Sequence, residues 1–308
     1  MPRPVTVRAG LFGDRVARAV SERESQVLLG LDPDPAQLLP HASELAEGEG
    51  PAERAAAAVR VHCVALVDAA GPACVGVKLQ LACFERLGAP GWAAAGDVAQ
   101  AAREAGLLVV ADGKRGDVPH TAAAYAQALL GSTDTPWGPV EGLGADAVTA
   151  NTLLGRDSLE PLVAAARPRG AGVFVLVRTS NAGAAELQDE APAGAPPLRE
   201  RLAAIVADLG AEAGESGLSD VGAVVAATEP RLMEDLRARM PRAVFLLPGI
   251  GAQGGRAEDA AAAFGGRRGA ALVAASRSLA GAALAAGDAQ AARPAAERLR
   301  EAAWSVSA

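Results

Sequence analysis

Aromatic residues are scarce in this chain, whose 308 residues include five Phe, three Trp and one Tyr. A core must therefore be built from Ala, Val and Leu, and the stacked aromatic platforms of single-strand nucleic-acid binders are not supplied. The net charge of −7 points the same way, because a general nucleic-acid binder needs a basic face. Cysteine is equally sparse. Cys63, Cys74 and Cys83 are odd in number and form no CxxC pair, so neither a disulfide framework nor a cysteine metal site is expected, and a reducing compartment fits. His41, His62 and His120 share no ligand spacing such as HxxxH and stand in no triad motif, which argues against histidine-centred chemistry. The opening MPRPVTVRAG lacks the apolar segment of a secretory signal, and no apolar run of the ~18 residues needed to cross a bilayer is read along the chain. A cytoplasmic protein is expected, with neither membrane nor nucleic acid among its partners.

Lysine is the sharpest scarcity. Of 29 basic residues only Lys78 and Lys114 are Lys. Arg stays charged as a planar fork, whereas the compact Lys ammonium can give up a proton where its surroundings allow. Two positions thus keep the one basic side chain suited to proton transfer.

Half of the residues are hydrophobic. Many fall in eight short continuous runs, at 27–32, 74–79, 107–112, 145–150, 172–178, 221–228, 243–248 and 269–275, each followed by an Ala-rich stretch of helical character. Continuous hydrophobicity marks strands covered on both faces, as in a parallel sheet flanked by helices. Eight such units over ~250 residues predict a (β/α)8 barrel of the TIM type, in one domain spanning 1–308. Residues 11–24 read as an amphipathic helix covering the barrel bottom, within an N-terminal extension of 1–26. Residues 184–197, rich in Ala and Pro, read as a mobile loop insert after the fifth strand. Trp92, Trp137 and Trp304 fall in connecting or terminal segments and read as packing anchors; His62 and Cys63 read as helix packing.

The third run ends VVADGKRGDVPHT, placing Asp112 and Lys114 two apart and so on one side of an extended chain. Asp117 follows in the same loop. An acid, an amine and an acid thus gather at the C-terminal end of a predicted barrel strand, where barrel enzymes place their chemistry. Lys78 closes the second strand and belongs at the same end. Asp32 ends the first strand in GLDPDP, where the prolines stop the strand and Asp34 reads as the capping residue. The seventh strand runs into PGIGAQGG at 248–255, and the eighth reaches Ser276 and Arg277. Glycine amides, the Gln253 amide and the Arg277 fork suit an anion, and barrel enzymes commonly bind phosphate at these two loops.

Together these residues resemble the orotidine 5′-monophosphate decarboxylase family. The likeness rests on GLDPDP, VKLQ with Lys78, DxKxxD with Asp112, Lys114 and Asp117, TSN at 179–181, PGIGAQGG, and SR at 276–277. It covers roughly residues 27–280, and GLDPDP, KRGD and RTSN look like the longer bacterial branch. Residues 117–121 depart from that branch, reading DVPHT where DIG-type residues are expected. The resemblance implies decarboxylation of orotidine 5′-monophosphate to uridine 5′-monophosphate and carbon dioxide, the last step of de novo pyrimidine synthesis, without metal or organic cofactor. It makes Lys114 the proton donor to C6, with Asp112 beside the departing carboxylate and Lys78 and Asp32 on ribose hydroxyls. Ser180 would meet the pyrimidine amide edge. Gln253 and Arg277 would hold the 5′-phosphate, and Thr121 and Ser276 are carried over as substrate-binding. Asp117 would reach a neighbouring subunit's site, which implies a homodimer.

Two other readings stay open at this point. One is a magnesium-dependent sugar-phosphate aldolase or β-keto acid decarboxylase of the same superfamily, in which DxKxxD holds a metal; Lys78 and TSN speak against it. The other is a non-catalytic phosphate-binding barrel, which has no need of both lysines.

Overall fold

An apolar run folds as a strand where helices or neighbouring strands cover both of its faces. In the computed structural model, which describes residues 10–227, 230–250 and 257–308, such a strand overlaps each of the eight runs, the second and third extending past theirs to Gln80 and Arg115. They are Val27–Leu31, Gly76–Gln80, Leu108–Arg115, Ala147–Ala150, Gly172–Arg178, Val221–Val225, Phe245–Leu247 and Ala271–Ala275, called here the first to eighth barrel strands. Each pairs in parallel with its sequence neighbours, and the eighth returns to the first, closing a barrel with helices between successive strands. This is a (β/α)8 TIM barrel.

Alternation along each strand decides what fills the interior. Leu28, Val110, Phe174, Val224, Leu246 and Leu272 belong to one buried cluster inside the ring. Their sequence neighbours, such as Leu29, Val109, Val173 and Val273, join a second cluster with the surrounding helices. The interior plug is completed from below by the helix Phe12–Arg23, whose Phe12, Val16 and Val20 enter the inner cluster. Phe12 meets Phe174 edge to face, with ring centroids 5.7 Å apart. Gly172 makes room for this: a Cβ there would lie 2.2 Å from the Phe12 ring. The helix expected at the barrel bottom is therefore where its apolar stripe can be buried.

Four features depart from expectation. The helix Pro51–Ala70 with the following turn to Ala73 is long and apolar enough to cross a membrane by length and composition, contrary to the reading that no run is. Its Ala-rich sequence hides the length of the run, and just over half of it is buried, with Val59, Cys63, Leu66 and Val67 in the core between helices and strands. That burial is the behaviour of a core helix. Secondly, the insert at 184–197 begins with a short helix, Ala184–Gln188, because AAELQ is a run of good helix formers. Thirdly, a small antiparallel pair, Ser132–Thr133 with Val140–Glu141, stands on the connection between the third and fourth barrel strands, where no strand is predicted. Finally, Trp137, at the tip of that pair, is 92% exposed and anchors nothing, while Trp304 does pack, under the Arg268 guanidinium at 3.8 Å.

Candidate active site

Where the apolar layers end, the same inward alternation continues with polar residues. Leu28, Gly30 and Asp32 follow one another on the first strand; Gly76, Lys78 and Gln80 on the second; Val110, Asp112 and Lys114 on the third; Ala147 and Thr149 on the fourth. Two departures from regular pairing shape the mouth. Between the third and fourth strands Ala111 pairs with Val148 but Arg115 with Ala150, so the third strand bulges across Asp112, Gly113 and Lys114. A second bulge lies between Leu176 and Arg178 on the fifth strand. Bulges re-aim side chains next to functional sites. Lys114 itself adopts φ +48°, which is uncommon outside glycine and costs backbone energy that the surroundings must hold in place. The Thr149 hydroxyl helps to do so, accepting the Lys114 N–H at 2.9 Å.

The result is a cavity of about 460 Å3 in the barrel mouth. A chain of alternating charge crosses its floor: Asp32 lies 3.7 Å from Lys78 Nζ, Lys78 Nζ donates to Asp112 Oδ2 at 2.7 Å, and Lys114 Nζ donates to Asp112 Oδ1 at 2.7 Å. Thr149 Oγ1 adds a donor to Asp112 Oδ1 at 2.8 Å. Burial by itself would push the Asp112 carboxyl up, but the Lys78 and Lys114 ammoniums beside it, as charges and as hydrogen-bond donors, hold it down at about 2. Burial would likewise strip the proton from Lys78; Asp112 and Asp32 override it and raise that ammonium above its ordinary value. Asp112 is thus a carboxylate and Lys78 an ammonium at neutral pH, each held charged by the other in a nearly dry setting.

Farther round the rim stand Thr179, Ser180 and Asn181 after the fifth strand, Pro248, Gly249 and Ile250 after the seventh, and Ser276 and Arg277 after the eighth. Arg277 lines the cavity and opens the helix Arg277–Ala286, and a cationic side chain at a helix N-terminus suits an anion. Gly30 permits the close approach of the first and eighth strands here, since a Cβ on it would lie 2.7 Å from Ser276 Cβ.

Of the predicted site residues, Asp32, Lys78, Asp112, Lys114, Ser180, Ser276 and Arg277 surround this one cavity. Asp117 and Thr121 do not line it; the Asp117 carboxylate accepts the Val118 N–H at 2.8 Å instead. Gln253 lies outside the described residues. Asn151 serves its turn, accepting the Leu153 N–H at 3.0 Å, and Asp34 caps the loop after the first strand through the Ala36 N–H at 3.2 Å. Sequence reasoning missed Thr149 and Gln188 as cavity residues. A lone hydroxyl in the buried strand AVTA, two residues beyond an inward Ala, is a signal that could have found Thr149. Gln188, inside a low-complexity insert, offered none. Among the described residues no group of three His, Cys, Asp or Glu side chains could hold a metal ion.

Residues 25–292 match the model of the family described as Orotidine 5′-phosphate decarboxylase / HUMPS. A Rhodopirellula baltica protein named orotidine 5′-phosphate decarboxylase is 40% identical over 270 residues, covering 86% of this chain and 87% of its own length. The protein of the same name from Deinococcus radiodurans is also 40% identical over 270 residues, covering 87% and 88%. Among solved structures, Leishmania donovani OMP decarboxylase is 30% identical with a TM-score of 0.71, covering 97% of this chain and 99% of that one.

Proposed function

Because this chain belongs to the orotidine 5′-phosphate decarboxylase / HUMPS family, we propose that its barrel mouth is where orotidine 5′-monophosphate loses carbon dioxide to give uridine 5′-monophosphate in pyrimidine biosynthesis. Within a family whose name covers more than one activity, the 40%-identical relatives are named for the decarboxylase. The observation that carries the assignment of roles is the Asp32–Lys78–Asp112–Lys114 chain, which joins both lysines of the sequence to two acids across one cavity.

Breaking the bond from C6 to its carboxylate leaves the electron pair on C6, with no adjacent sink. The protein must stabilise that pair with charges already in place. Lys114 supplies a fixed ammonium and then its proton to C6, and afterwards regains one from water; Arg could bring the charge but not readily the proton. Asp112, held ionised, stands beside the substrate carboxylate, and their repulsion falls as carbon dioxide leaves. Lys78 keeps Asp112 charged and, with Asp32, takes the ribose hydroxyls. Ser180 meets the pyrimidine amide edge. Arg277, Ser276 and Gln253 grip the phosphate, whose remote binding energy fixes the reacting groups.

The working unit in this reading is a homodimer in the cytoplasm. Asp117 and Thr121 leave their own cavity and reach a neighbour's, which is supported by the apolar surface beside them. Val118 and Leu153 are 54% and 77% exposed, and their loops adjoin, since the Asn151 N–H donates to the Arg115 carbonyl at 2.8 Å.

The test follows the loss of orotidylate absorbance with the purified protein, with and without excess EDTA. Turnover unchanged by the chelator is expected. No loss of orotidylate absorbance would overturn this reading in favour of the sugar-phosphate chemistry that DxKxxD can also serve, and turnover that is lost in EDTA would overturn its metal-free chemistry.

A further inference from the structure

The Ala- and Pro-rich insert has no part in the chemistry above, yet its first turns are fastened to the cavity wall. Gln188, the last residue of the helix Ala184–Gln188, lines the cavity and turns its amide onto Thr179. The Thr179 N–H donates to Gln188 Oε1 at 2.8 Å, and Gln188 Nε2 donates to Thr179 Oγ1 at 3.0 Å. The Thr179 hydroxyl donates in turn to Asn181 Oδ1 at 2.7 Å. These demands fix which way the amide faces: an acceptor toward the N–H, a donor toward a hydroxyl whose proton is committed elsewhere.

The next residue anchors the arrangement. Asp189 receives the Arg178 fork through Nε and Nη2, both at 3.0 Å, and Arg199 Nη1 at 2.9 Å. Arg178 Nη1 also donates to the Thr179 carbonyl at 2.6 Å. The peptide group on each side of Thr179 is therefore held, by Gln188 at its N–H and by Arg178 at its carbonyl. Ser180 is carried next along this gripped backbone, facing the cavity.

We propose that Gln188 is a positioning residue for base recognition, which sets residues 179–181 so that Ser180 meets the pyrimidine edge, with Asp189 clamped by Arg178 and Arg199 as its anchor. This rests on the reading of the cavity as the site for orotidine 5′-monophosphate. It gives the start of the insert a role in selecting the base, while the phosphate grip stands after the seventh and eighth strands.

The test measures binding of uridine 5′-monophosphate and of ribose 5-phosphate to the full chain by calorimetry, in the wild type, Gln188→Ala and Asp189→Asn. Losing two neutral hydrogen bonds that hold the loop should weaken uridine 5′-monophosphate by about tenfold in Gln188→Ala, and less in Asp189→Asn. Ribose 5-phosphate, which has no base, should bind all three proteins alike, and it also reports that each is folded. An equal loss for both ligands marks a merely structural role and overturns the proposal, as does no loss for either. If the wild type itself binds uridine 5′-monophosphate no better than ribose 5-phosphate, the reading of a base-binding cavity fails first, and the proposal with it.

Discussion

The charge chain on the barrel floor makes Asp112→Asn the most informative substitution for folding energetics. In the wild type Asp112 is almost wholly buried and held at about 2, against an ordinary value of 3.8. At about 1.4 kcal/mol per unit, the ion pairs with Lys78 and Lys114 contribute roughly 2 kcal/mol to stability through this group. Because the folded value is depressed, that contribution is complete above about pH 4 and is lost as pH falls through about 2. The Asn side chain cannot neutralise Lys78, which keeps only Asp32 at 3.7 Å and would be left as a buried ammonium. Removing one partner of a buried pair costs about 3–5 kcal/mol, and the remaining Asp32 offsets part of it. A deficit of roughly 2–4 kcal/mol at pH 7 is therefore expected by urea unfolding of the ligand-free protein. The difference between variant and wild type should shrink as both are taken toward the lowest pH at which they stay folded, since the wild type's own carboxylate then protonates. Replacing the pair together, Lys78→Met with Asp112→Leu, should recover much of the loss. A variant as stable as the wild type at pH 7, or a deficit that does not change with acid, would refute the coupling of these charges.

Other consequences follow from the same geometry. Phe12→Ala removes the ring that plugs the barrel bottom against Phe174 and should cost about 3–5 kcal/mol in thermal or urea unfolding, while kcat/KM at the opposite end stays within a fewfold of wild type. Arg277→Ala removes the charged fork on the rim; it should raise KM for orotidine 5′-monophosphate by roughly 10- to 100-fold, yet leave turnover of the substrate lacking its phosphate unaffected. Thiol titration of the native protein should find Cys63 and Cys74 inert, because burial pushes the first thiol far up and the second up to about 12; only the half-buried Cys83 should react, and slowly. Rapid labelling of all three in the folded state would contradict the packing of the helix Pro51–Ala70.

Much of the fold was legible because a parallel barrel writes itself plainly. Strands such as LVVAD and GVFVLV are buried on both faces, so their hydrophobicity is unbroken and needs no periodicity to be seen. The site was legible for a different reason: in a chain that uses Arg almost everywhere, Lys78 and Lys114 mark themselves, and strand alternation brings them to one mouth. What stayed hidden depends on tertiary neighbours. Strand alternation alone could have placed Thr149 in the mouth, but its hold on the Lys114 N–H comes from a bulge in the adjacent strand, which no local pattern announces. Gln188 matters because the insert folds back onto Thr179. Trp137 lies at a turn whose two short strands carry no apolar face to bury it. The helix Pro51–Ala70 looks like a membrane candidate only by composition, and its burial depends on the strands it covers.

The central claim is that an ammonium at position 114 delivers the proton to C6, and Lys114→Arg tests it most directly. The substitution keeps a positive charge near Asp112 but offers a group that does not readily release a proton. With orotidine 5′-monophosphate at saturation, kcat should fall by about 10²- to 10⁴-fold while uridine 5′-monophosphate still binds. A variant that turns over within a fewfold of the wild type would contradict the account.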